Sequence, residues 1–249
     1  MAVAHALDTL LARGDIWRGG SLAEAPRTGV PTGFTSLDEA LPAGGWPRGE
    51  ITELLHDQPG IGELSLLLPS LSRLSHEGGW LALVSPPWNI HAPAWAKAGI
   101  ALERLVLVQS REDSAWCAEQ LLRSDGFAAV LLWDRGMDTQ TVRRFQVAAE
   151  CRQTVFWLWR PQHVVRQASP APLRLALAGE GGAESAAARA CERALNVSIV
   201  KRRGRPAGRP LRLMLPTEAT TTTHKAKNHA LAGPAVSTTA YRSTALAFA

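Results

Sequence analysis

An α/β fold with a mostly parallel central sheet flanked by helices, closing on a late antiparallel hairpin, is predicted by three observations. Short runs that are apolar on both faces, such as "WLALV" at 80–84 and "FAAVLLW" at 127–133, recur along the chain. Between them lie amphipathic stretches of helical period, the alternation that builds a parallel sheet covered on both sides. Near the end, "VSIV" and "PLRLML" flank the turn-rich "KRRGRPAGR", a pairing that reads as a hairpin. With 249 residues and 46% hydrophobic content, the chain can bury one sizeable core.

The elements follow in order. An amphipathic segment at 4–12 precedes a linker containing Gly19, Gly20 and Pro26. In "TGFTSLDEALPAGGWPRGEITELL", Ser36 is placed to cap a short helix, Gly44 and Gly45 to end it, and 51–55 to form a strand. A loop at 56–62 leads into a helix at 64–75 that Pro69 should kink or interrupt. Strands at 80–84, 104–108, 127–133 and 154–159 then alternate with helices at 91–99, 112–124 and 138–152. Beyond them come "LRLALA" at 173–178, a helix around 186–195, and the hairpin, read as antiparallel additions to the sheet. From Thr217 the composition turns to Thr, Ala, Ser and His, with too few large apolar residues for a core. The expected organisation is a helix and linker at 1–27, a core at 28–215 and a disordered tail at 216–249.

Composition narrows the function. No apolar run approaches the roughly 20 residues that span a bilayer, and the start of the chain lacks the pattern of a secretory signal, so a soluble cytoplasmic protein with no membrane role is expected. Three cysteines without paired spacing suggest neither a disulfide framework nor a zinc site. The seven histidines show no metal-ligand spacing, so no metal is expected. The net charge of +5 is unevenly spread: Lys201, Arg202, Arg203, Arg205, Arg209 and Arg212 fall in one window without an acid. That window reads either as a site for an anionic partner such as nucleic acid or as a solvated hairpin turning at Gly204 and Gly208. Nine tryptophans against one tyrosine is an unusual balance. Trp133, Trp157 and Trp159 fall in strands and should be partly buried. Trp46, Trp88 and Trp95 lie in or beside loops and are candidates for a protein interface as well as for the core.

The loop "HDQPGIGELS" at 56–65 sits where a phosphate-binding loop would stand. Such a loop, G-x-x-x-x-G-K-[ST], uses glycines to face amides to the phosphates, lysine to neutralise them and a hydroxyl to hold magnesium. Aligned on Gly62, the first glycine becomes Asp57, the lysine Glu63 and the hydroxyl Leu64, leaving Gly60 and Gly62 to serve the turn. At an effective dielectric of about 20, unit charges about 4 Å apart interact by roughly 4 kcal/mol, so replacing a cation by Glu63 swings the balance by up to about 8 kcal/mol. Ordinary nucleotide binding, and with it ATPase activity, is therefore not expected, and no cofactor is predicted. Glu63 should instead gain from the positive end of the following helix.

The approach segment, in which Thr-Gly, Ser-Leu-Asp, Gly-Gly and Gly-x-Ile-x-Glu occur in order, resembles that of the RecA core. The strand closing on Asp134 resembles a Walker B strand, and the late hairpin also has its RecA-like counterpart. The similarity spans about residues 28–215. More narrowly, the short length, failed loop and many tryptophans resemble the ImuA family, RecA-like and SulA-like proteins of error-prone translesion synthesis. RecA-like ATPases place a catalytic acid after the strand that follows the phosphate-loop helix, yet no acid occurs here from Gly78 to Leu102. Asp134 matches the metal-supporting acid but equally suits a turn or helix cap. The connection "RPQHVVRQASPAP", with Arg160, His163 and Arg166, is short beside the DNA-contacting loop of a recombinase. The resemblance implies a non-catalytic accessory of the SOS response, partnered by an ImuB-type Y-family polymerase-like protein, with RecA and DNA as further candidate partners. The amphipathic segment around Leu7, Leu10 and Leu11 is a candidate subunit contact. The competing readings are an ATP-dependent DNA repair protein using Asp134, and a SulA-like inhibitor binding the division protein FtsZ.

Overall fold

The computed structural model describes residues 29–110, 112–133, 136–150, 152–179, 193–204 and 206–215. The expectations for Leu7, Leu10, Leu11, Asp134, Arg205, the 1–27 segment and the 216–249 tail lie outside them.

Eight strands form one sheet: β1 (Ile51–Leu55), β2 (Trp80–Val84), β3 (Leu105–Val108), β4 (Phe127–Trp133), β5 (Val155–Arg160), β6 (Leu173–Gly179), β7 (Arg193–Lys201) and β8 (Leu211–Leu215), in the order β3-β2-β4-β5-β1-β6-β7-β8. The pairings from β3 through β6 are parallel, and β7 and β8 add antiparallel. This is the predicted α/β class, with one change: β6 pairs parallel with β1 and only its other edge is antiparallel. The proposed helix at 186–195 is corrected at its end, where Arg193 to Leu195 already belong to β7 and pair with β8.

The helices are α1 (Thr35–Ala40), α2 (Leu68–His76), α3 (Ala92–Lys97), α4 (Ser114–Arg123) and α5 (Thr139–Glu150). One face of the sheet packs on Leu37 of α1, Leu71 and Leu74 of α2 and Trp95 of α3. The other packs on Ala118 and Leu122 of α4 and Val142 and Phe145 of α5. Both faces are therefore largely apolar, and β1 and β5 are buried at every residue, which is why these strands are mostly apolar, with Thr52, Glu53 and Arg160 as their buried polar residues.

Two local expectations change. Ser36 lies inside α1 and does not cap it; Phe34 is the N-cap. The entry is held instead by Thr32, whose N–H donates to Asp38 Oδ1 at 2.8 Å and whose hydroxyl accepts the Phe34 N–H at 3.1 Å. The helix after β1 starts at Leu68 rather than 64, with Pro69 in its first turn. An α-helix running from 64 would need an N–H at Pro69 to reach Ser65, and proline has none. Residues 63–67 form turns instead.

Trp46 and Trp95 are corrected from interface candidates to core residues, 0% and 6% exposed. Trp46 and Val30 exchange backbone hydrogen bonds of 2.7 and 2.8 Å, and the Trp46 ring meets Trp157 edge-on with centroids 5.7 Å apart. An aromatic ring in a loop that crosses the end of a sheet is buried because the core beneath it is apolar.

Candidate binding cleft at the carboxyl edge of the sheet

The chain leaves β1 through His56, whose N–H donates to the Arg160 carbonyl at 3.2 Å, so the loop begins as a continuation of the β1–β5 pairing. Asp57 Oδ1 accepts the Gln162 N–H at 2.8 Å, tying the loop to the connection after β5. Gly60 and Gly62 both have positive φ, +76° and +99°. At Gly62 the need for glycine is also steric, because a Cβ would lie 2.1 Å from Leu215 Cδ1. Leu64 packs against the core cluster that includes α2.

Glu63 is 4% exposed and folds back on its own loop, where Oε1 accepts the Gly60 N–H at 3.4 Å. Oε2 is buried with no hydrogen-bond partner. The expected gain from a helix amino terminus is not realised, since α2 begins five residues later at Leu68. The carboxylate thus faces one of the amides that a phosphate-binding loop presents outward.

At the end of β2, Ser85 has φ +52°, the left-handed region that costs a residue with a side chain about 1–2 kcal/mol. Its hydroxyl donates to the Ser110 carbonyl, and its N–H to Val108 at 2.8 Å. A serine, not an acid, thus directly follows β2.

The carboxyl ends of β1, β2, β4 and β5 together line a cleft of about 300 Å³. Its walls include Pro59, Pro87, Trp88, Trp133, Trp159 and Pro161, with His56, Asp57, Ser85 and Arg160 supplying polar atoms. Trp133 and Trp159 stack with centroids 4.3 Å apart and planes 6° from parallel. Trp88 is 40% exposed. Ligands of open α/β sheets bind beyond these carboxyl ends. Among the described residues, no cluster of three or more His, Cys, Asp or Glu side chains is placed to hold a metal ion, and no helix is long and apolar enough to cross a membrane.

Arg160 does not offer its charge to the cleft. It is 7% exposed, donating Nη1 to Glu53 Oε1 at 3.2 Å and Nη2 to the Met137 carbonyl at 2.7 Å. Glu53, wholly buried, also accepts from Arg174 Nε at 2.6 Å and Ser169 Oγ at 2.6 Å. Arg174 in turn satisfies the carbonyls of Val164, Val165 and Gln167. This arginine–glutamate–arginine group fixes the 161–172 connection over the sheet face beyond α4 and α5. The sequence reading missed it, though a signal exists: Glu53 alternates with Ile51 and Leu55, so its side chain must point into a buried face.

The basic hairpin lies at the other edge of the sheet. Lys201 pairs with Arg174 near the start of β6, and Arg203 Nη1 binds Glu50 Oε1 at 2.9 Å just before β1. Burial raises the Glu50 carboxyl above its usual range, with Arg203 opposing and Glu150 adding to the shift. Lys201 Nζ donates to the Ser169 carbonyl at 2.8 Å, and Arg202 to the carbonyls of Ala40 and Pro206. Arg209 and Arg212 are exposed. Three of the six cations thus hold the hairpin against the core.

Comparison with known proteins agrees with the architecture. Residues 39–166 match the family described as the MT3502 N-terminal domain, half of the chain. Protein RecA of Clavibacter michiganensis subsp. michiganensis is 29% identical over 51% of this chain and 35% of its own length. Protein RecA of Lactobacillus acidophilus is 30% identical over 48% and 33%. The chain spans about a third of the length of the curated relatives it matches. SulA from Pseudomonas aeruginosa aligns with a TM-score of 0.38 and 24% identity, over 44% of this chain and 97% of that one, a score that carries no argument. With its matched segment running from α1 through β5 to the wall of the cleft, the chain belongs to the MT3502 N-terminal domain family and has a RecA-like core.

Proposed function

We propose that this protein is a catalytically silent RecA-like accessory of SOS-induced, error-prone translesion DNA synthesis, of the ImuA type, joining an ImuB-type Y-family polymerase-like subunit to RecA or DNA. The similarity to RecA supports a role in the response to DNA damage. The observation that carries the non-catalytic reading is Glu63, a buried carboxylate turned onto the Gly60 amide in the loop that would otherwise receive phosphate. A phosphate entering there would meet a like charge in a poorly solvated setting. The cleft beside the loop is walled by indole and proline rings, surfaces that suit macromolecular contact better than triphosphate chemistry.

The test is co-purification of the full chain with an ImuB-type polymerase-like protein at low and moderate salt. Retention at both supports the assignment; failure at both removes it.

A further inference from the structure

We draw no further inference here: the strongest candidate, the apolar edge strand β3, which pairs with β2 along one side and leaves Leu107 44% exposed, carries nothing because nothing in the structure shows what covers it.

Discussion

Arg174 donates Nε to Glu53 Oε2 at 2.6 Å with both side chains buried, and Arg160 reaches the other oxygen of the same carboxylate. Removing the carboxylate leaves two buried guanidiniums without their counter-charge. Glu53→Ala should therefore cost about 3–5 kcal/mol. Replacing Glu53, Arg160 and Arg174 together by methionine should cost less than that single change, because no buried charge is then left unpaired. Urea unfolding of the two variants checks both statements.

Glu63 is expected to be held at a cost. Its Oε2 is buried without a partner and its Oε1 has only a long bond to Gly60. Glu63→Gln removes the charge at nearly constant shape and should stabilise the fold by about 1 kcal/mol. A rise in the unfolding midpoint is the readout, and a fall would mean that the carboxylate has partners the loop geometry does not reveal.

The two loop glycines should separate cleanly on substitution. Gly60→Ala places its Cβ in open space and meets only the left-handed φ, a cost of about 1–2 kcal/mol. Gly62→Ala meets the same strain and drives a Cβ against Leu215, adding about 1–3 kcal/mol. Thermal unfolding of the pair measures the difference.

Glu50 gives a pH signature. Burial raises its carboxyl above the ordinary 4.5, so the folded chain binds its proton more tightly than the unfolded chain. Its contribution to stability therefore falls as pH rises from 4.5 through the raised value. Relative to Glu50→Gln, the wild type should lose stability over that window. Asp138 runs the other way, its carboxyl lowered chiefly by the Thr141 N–H, so its contribution is lost as pH falls through the lowered value, below the usual 3.8. The difference between wild type and Glu50→Gln isolates the first effect.

What could be read from the sequence follows from burial. β1 to β5 match their expected runs within a residue at either end because strands covered on both faces favour apolar side chains, with Thr52, Glu53, Arg160 and the edge strand β3 as exceptions. The start of α2 moved because one missing N–H at Pro69 outweighed a run of leucines. Trp46 stayed open between interface and core because loop position says nothing about which way a ring turns. The Glu53–Arg160–Arg174 group joins residues 107 and 121 positions apart, a pairing that no local spacing encodes. The cleft was half visible: Asp57 and Trp88 were singled out, but its stacked Trp133 and Trp159 were taken only as strand residues.

The central claim is that the loop at 56–65 closes on its own carboxylate instead of a nucleotide. Calorimetric titration of the full chain with ATP and magnesium tests it most directly. The account predicts no heat of binding at micromolar protein; tight, magnesium-dependent binding lost in Asp134→Ala would contradict it.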